Sequence, residues 1–218
     1  MLVLGIDEAG RGPVIGPMVI AGVLLEKKAE KELKNAGVKD SKLLSKKRRK
    51  ELEKIIKEKA TEVKTIIIPA KEIDSLRKKM SLNEIEAMKI GRLISSFSEK
   101  PGLIIIDLVD PSELDFLKRL KKYVTFPCRI KAEHKADLKN ISVAAASIIA
   151  KVKRDELIEK LSKKHGEFGS GYPADEKTIN FLKKNRGKEM DFVRYSWATA
   201  RKILGKKKNQ KQKKLYEW

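Results

Sequence analysis

The sequence predicts an α/β fold: a mixed β-sheet flanked by helices, with a helical extension at its C-terminal end. Three observations carry this prediction. Apolar runs rich in branched residues recur at 2–8, 17–25 and 103–106, bounded by Gly, Pro or Asp. Between them, Ile90, Leu93, Ile94 and Phe97 show helical i, i+3, i+4, i+7 spacing. Val143 to Val152 is apolar on every side, the pattern of a helix enclosed by other layers.

Taken in order, 2–8 and 17–25 read as two strands joined by a turn. Ser45 is a helix start signal for 46–60, whose Leu52, Ile55 and Ile56 share one side. Ile66, Ile67 and Ile68 read as a short buried strand ended by Pro69, and 82–97 as the amphipathic helix. Leu103 to Ile106 is a strand running into Asp107. It is followed by a helix at 112–121 (Leu114, Leu117, Leu120) and a strand at about 127–132. The helix that begins with Val143–Val152 continues to Lys164, where only Leu157 and Leu161 stay apolar and the far end emerges into solvent. Two more helices are expected near 175–185 and 196–204, and no internal repeat is visible. Residues 1–204 read as one body. The tail at 205–218 holds six Lys and one Glu with almost no apolar content before Leu215, and is expected to be flexible.

Composition narrows the function. The longest uninterrupted apolar stretch, Val14 to Leu25, has 12 residues and contains Gly16 and Pro17, against about 20 for a spanning helix, so no integral membrane protein is expected. The start, MLVLGIDEAG, lacks the basic lead of a secretory signal. Cys128 is the single cysteine, which predicts a small buried hydrophobe in a reducing, cytoplasmic setting and no internal disulfide. With 51 Lys+Arg against 30 Asp+Glu, the formal charge is +21. Few Gln and Asn among 40 Lys fit a heat-adapted surface, but heat adaptation raises charges of both signs. The surplus points to a polyanionic partner, nucleic acid above all.

In so basic a chain, acids at strand ends stand out. Asp7 and Glu8 close the first strand, Asp107 closes the strand at 103–106, and Asp137 follows the strand near 130. Any one of them alone reads as a helix cap or turn residue. Gathered at one sheet edge, they would repel unless cations lay between them. Oxygen ligands without His or Cys clusters suit Mg²⁺ or Mn²⁺ rather than Zn²⁺. This makes a metal-dependent nuclease one reading and a non-catalytic nucleic-acid binder with capping acids the other. Gly10-Arg11-Gly12-Pro13 is a turn whose amides could approach a ligand closely, with Arg11 able to reach a phosphate or hydroxyl. It matches neither a P-loop nor a dinucleotide fingerprint.

With those residues in place, the chain resembles ribonuclease HII of the single-domain archaeal type. The matching segments are G-I-D-E-A-G-R-G-P at 5–13, D-S-K-x-L at 40–44, I-I-I-D at 104–107, H-K-A-D at 134–137, A-A-S-I-x-A-K-V-x-R-D at 145–155 and G-S-G-Y-P at 169–173. The resemblance implies a ribonuclease H-like catalytic domain over 1–204. It implies cleavage of the RNA strand of RNA–DNA hybrids, and incision 5′ of ribonucleotides embedded in duplex DNA, leaving 5′-phosphate and 3′-hydroxyl ends. It further implies that Asp7, Glu8, Asp107 and Asp137 hold two Mg²⁺ or Mn²⁺ ions, and that Gly10, Arg11 and Gly12 contact the 2′-hydroxyl. Tyr172 would stack on the next deoxyribose, and Ser41 and Lys42 would hold phosphates. Arg194 and Trp197 are weaker candidates for duplex contact through the last helix, with core packing the equal alternative for the Trp. His134 reads as a solvent-facing strand residue and Asp110 as an N-cap. In the tail, Gln212, Leu215 and Trp218 have the spacing of a sliding-clamp-binding peptide with one of its two usual aromatics, beside the plainer reading of a nonspecific basic arm. A monomer is expected.

Overall fold

The structure, a computed structural model, describes residues 1–39 and 41–205, without the side chain of Lys42. Five strands form one sheet in the order β3-β2-β1-β4-β5, with β1 at Leu2–Ala9, β2 at Met18–Glu26, β3 at Glu62–Ile68, β4 at Leu103–Asp107 and β5 at Arg129–Glu133. β2 pairs antiparallel with β1 and β3, while β4 runs parallel to β1 and β5. The helices are α1 (Lys27–Asn35), α2 (Lys46–Lys59), α3 (Ala70–Leu76), α4 (Leu82–Ser96), α5 (Glu113–Leu120), α6 (Ile141–His165), α7 (Glu176–Lys184) and α8 (Ala198–Leu204).

Strand alternation sorts the side chains into two cores. Leu4 and Ile6 of β1, with Ile104 and Ile106 of β4, face α4 and α5 and meet Ile90, Leu93, Ile94 and Phe116. The other face packs against α6, α1 and α2, where Val19, Ala21, Val23 and Leu25 meet Ala145, Ile148, Leu33 and Leu52. The polarity rule that predicts α6 as enclosed holds: Ser142 to Ala150 and Val152 are all buried. Helix α6 lies unusually close to β1. A Cβ on Gly5 would collide with the Ser142 carbonyl and the Val143 nitrogen, so only glycine admits the helix at that distance.

A third apolar cluster is formed by the C-terminal extension on the β1–β2 turn. Val14 and Ile15 meet Phe168, Leu182, Phe192 and Val193. Backbone bonds sew the two together: Val14 N–H to Gly171 O at 2.8 Å, Gly16 N–H to Phe192 O at 2.8 Å and Arg194 N–H to Val14 O at 2.8 Å. The extension thus brings the G-S-G-Y-P segment over the glycine turn.

Some expectations need correction. β3 is not a buried strand: it begins at Glu62, lies at the sheet edge, and has only Ile68 buried while Ile67 is exposed. In α5 the inward residues are Phe116 and Leu120, and Leu114 faces out. Helices α1 and α3 are additional elements, each anchored by two buried residues. Cys128 is half-buried rather than enclosed. No helix among the described residues is long and apolar enough to cross a membrane. The tail residues Gln212, Leu215 and Trp218 lie outside the described residues.

Candidate active site

The parallel pairing of β1 with β4 sets Ile6 beside Ile106, so Asp7 and Asp107 emerge side by side at the ends of neighbouring strands. Both stand on the α6 face. Asp137 joins them from a single 3-10 turn, Ala136–Leu138, that follows β5, and Ala136 N–H donates to Asp107 Oδ1 at 2.8 Å. Glu8, one residue on, alternates to the α4 face and is half-buried beside the buried Glu86.

The electrostatics show how close these acids are. Asp7 is pushed up to about 7, first by burial and then by the charges of Asp107 and Asp137. A hydrogen bond from Ser147 of α6 and the Glu8 amide, 2.7 Å from Oδ1, act in the opposite direction. Glu8 is raised well above the usual carboxylate range by burial, then by Asp7, Glu86 and Asp107, with Arg11 opposing. The four acids are therefore electrostatic neighbours, although they do not converge on one point. Among the described residues, no group of three or more His, Cys, Asp and Glu side chains is disposed to hold a metal ion. As a donor set, an all-carboxylate cluster with no His or Cys suits hard divalent cations, and a cation would relieve the repulsion that protonation otherwise relieves.

Beside the acids lies a cleft of about 1140 Å³, lined among others by Glu8, Gly10, Gly12 and Tyr172 and by Lys47 and Lys50 of α2. Helix α2 opens with Lys46, Lys47, Arg48, Arg49 and Lys50 and has no acid in its first turn. That places cations at the positive end of a helix dipole, which opposes stability and favours an anionic partner. Its cap is the expected one: Ser45 Oγ accepts from Arg48 N–H at 3.1 Å.

Several anticipated contact residues are placed differently from expectation. Arg11 lines the cleft, but its guanidinium is engaged within the chain: its Nε donates to Glu86 Oε1 at 2.7 Å and its Nη2 to Asn83 Oδ1 at 2.7 Å. Ser41 is fully buried, with Oγ 2.8 Å from Ser147 Oγ and accepting from Lys151 Nζ, so its hydroxyl braces the Ser147–Asp7 contact and is not presented to a ligand. Arg194 precedes α8 and is fully buried; it donates to the carbonyls of Gly16 (2.9 Å), Arg11 (2.9 Å) and Gly10 (2.7 Å). It cannot touch a duplex. It fixes the glycine turn from beneath, and because C=O and N–H point opposite ways across a trans peptide, it aims the Arg11 and Gly12 amides outward. Trp197 adds a bond from Nε1 to Gly12 O at 3.0 Å and lies under the Arg194 guanidinium at 4.9 Å. Tyr172, 44% exposed, stands over Gly12, where a Cβ would lie 3.5 Å from the ring. His134 is exposed as expected but stands in the turn after β5 rather than in a strand, with Nδ1 2.9 Å from Leu108 O. Asp110 is not the cap of α5, a role taken by Ser112; it is buried between Arg119 and Asn83.

Glu86 is the site residue that sequence reasoning passes over. Its signal was available: a carboxylate flanked by Ile85, Ala87 and Met88 in the apolar helix α4. Burial raises it to about 7 and Arg11 partly offsets that.

Comparison with known proteins agrees with this architecture. A family model described as ribonuclease HII matches residues 4–200. The crystal structure of ribonuclease H2 from Pyrococcus horikoshii matches with a TM-score of 0.88 and 42% identity, covering 94% of this chain and 97% of that one. The ribonuclease HII of Archaeoglobus fulgidus, solved in a complex with PCNA, gives 0.83 and 38%, covering 90% and 95%. Bst ribonuclease HIII, solved with Mn²⁺, gives 0.77 and 25%, covering 94% of this chain and 69% of that one.

Proposed function

This chain belongs to the ribonuclease HII family of endoribonucleases, and from that premise we propose that it cuts the RNA strand of RNA–DNA hybrids and incises 5′ of ribonucleotides embedded in duplex DNA. The observation that carries the reading is the pairing of Asp7 with Asp107 at adjacent strand ends, beside a glycine turn whose amides are aimed outward.

In this reading Asp7, Glu8, Asp107 and Asp137 hold two hard divalent ions, Mg²⁺ or Mn²⁺. When bound, such ions supply an activated water and stabilise the departing 3′-oxygen, which leaves 5′-phosphate and 3′-hydroxyl ends. The chain's own residues do the positioning. Ser147 orients Asp7, and the Ala136 amide orients Asp107. The Arg11 and Gly12 amides, set by Arg194, meet the 2′-hydroxyl that distinguishes RNA from DNA. Tyr172 stacks on the following sugar, where a 2′-oxygen would collide with its ring. The basic start of α2 holds the backbone across the cleft, and salt therefore weakens binding steeply.

A duplex carrying one ribonucleotide tests this. Cleavage with Mg²⁺ at the 5′ side, none with chelator and none on an all-DNA duplex is the expected result; retention without cleavage would leave only a nucleic-acid binder. Tyr172→Ala should lose rate and site choice at the junction, and unchanged values would remove the stacking role. For the clamp seen with the Archaeoglobus relative, we assign Gln212, Leu215 and Trp218 as the contact. Deleting 210–218 should abolish clamp pull-down, and unchanged retention would reject the assignment.

A further inference from the structure

A second arginine lies beside the glycine turn, and it is held differently from Arg194. Arg154 of α6 is 8% exposed, and its Nε and Nη2 are buried with no hydrogen-bond partner. The carboxylate of the next residue, Asp155, is paired with Arg49 at 2.9 Å and acts on Arg154 through its charge. Arg154 and Arg194 also oppose one another electrostatically. Unsatisfied buried donors on a charged group destabilise a fold, so packing alone does not account for Arg154.

Its surroundings are shaped to keep it in place. Gly10, at φ +83°, lies against it so closely that a Cβ would collide with Nε and Cδ. On the other side the Tyr172 ring stands 5.6 Å from the guanidinium carbon and is itself open to the cleft that Arg154 lines. The two orphan groups, Nε–H and Nη2–H, form one edge of the guanidinium, the fork that matches two oxygens of a phosphodiester.

We propose that Arg154 is a phosphate-binding residue, whose Nε–H and Nη2–H take two oxygens of the backbone phosphodiester in the strand that Tyr172 stacks against. The ring covers the guanidinium, so a sugar that draws the ring onto itself uncovers the donors. Stacking and phosphate capture are thereby linked, and the junction is read by a sugar test and a charge contact made together. This rests on the reading of a ribonucleotide-containing duplex as substrate.

The test uses the full chain, Arg154→Met and Arg154→Lys, and a duplex with one ribonucleotide, with chelator present so that nothing is cut. The Met variant should bind about tenfold more weakly, with the slope of log K against log salt reduced by about one. Its free melting temperature should hold or rise, because unsatisfied donors are gone. Single methylphosphonate linkages placed around the ribonucleotide should reveal one position that weakens wild type and leaves the Met variant unaffected. The Lys variant, a point charge without the fork, should keep the slope while losing affinity. A Met variant that melts lower while matching the wild-type slope and methylphosphonate profile would overturn the proposal and make Arg154 a packing residue. If the Met variant does not fold, an unchanged methylphosphonate profile and affinity in the Lys variant would overturn it equally. A wild type that neither binds nor cuts the duplex would overturn the functional reading as well, a result separate from any variant comparison.

Discussion

On the α6 face of the sheet, Asp7 and Asp107 stand together with Asp137 nearby, and burial and mutual repulsion lift Asp7 to about 7. On the α4 face, Glu86 is as deeply buried and is lifted to about 7 as well, but there Arg11 binds it and Asn83 ties Arg11 on to Asp110 and Arg119. The first region collects like charges at neighbouring strand ends, where the Ser147 hydroxyl and the Glu8 and Ala136 amides meet them. The second supplies each buried charge with an opposite partner and uses the network to brace the glycine turn. Charges paired with opposite charges within the chain serve as framework, whereas like charges set at neighbouring strand ends repel one another in a way that a cation would relieve.

The largest test of this contrast is Asp7→Asn. Cleavage should fall by about 10³-fold or more, while duplex binding changes little, since it draws on the positive surface. The same change should stabilise the protein at pH 8 by a few kcal/mol. The sign follows from linkage: a carboxyl raised from 3.8 to about 7 on folding binds more protons folded than unfolded in that window. Its penalty is therefore absent below about pH 4, grows as pH rises to about 7 and is constant above. Denaturation of both proteins at pH 4 and pH 8 measures it, and equal differences at the two values would break the contrast.

Arg194→Met should do the reverse, costing about 3–5 kcal/mol by urea denaturation, because three carbonyls lose a buried charged donor at once. A stabilised Arg194→Met protein would remove the framework half of the comparison. Adding Mg²⁺ or Mn²⁺ should raise the wild-type stability by about 2.7 kcal/mol at a hundredfold excess over the dissociation constant. Asp7→Asn should lose most of that gain, which thermal melting with and without chelator can read. The smallest expected effect is that of Ser147→Ala. Loss of its bond to the charged form of Asp7 should cut the rate at pH 7 about fivefold, worth about 1 kcal/mol, and move the acid limb of the pH–rate profile to higher pH.

How much of this was legible in the sequence follows from the kind of signal involved. Periodicity exposed the sheet strands, α4 and α6, because those elements bury whole faces. It missed α1 and α3, which begin within two residues of the ends of β2 and β3, so that no separating turn announces them. It enclosed β3, since a run of three Ile looks the same at a sheet edge as at its centre. The acids at strand ends were visible because they interrupt apolar runs. The parallel pairing that sets Asp7 against Asp107 joins residues a hundred positions apart and has no local trace. Arg11, Ser41 and Arg194 were recognised as belonging to the region, but a motif names a residue without saying whether its side chain faces the ligand or the framework. Arg154 sits in a matching segment and still escaped notice, because an unsatisfied donor is a property of packing.

The bare contact at Gly5 has a consequence for variation in this chain. With no side chain between strand and helix, α6 rests directly on β1, and the same helix carries Ser147 to Asp7 and Arg154 to Gly10. One missing methyl group therefore acts as a spacer of zero thickness for two separate contacts. Any residue larger than hydrogen at that position would lift both together, so a substitution with no polar atom, five residues from the start of the chain, would detune the chemistry and the grip on the strand in one displacement.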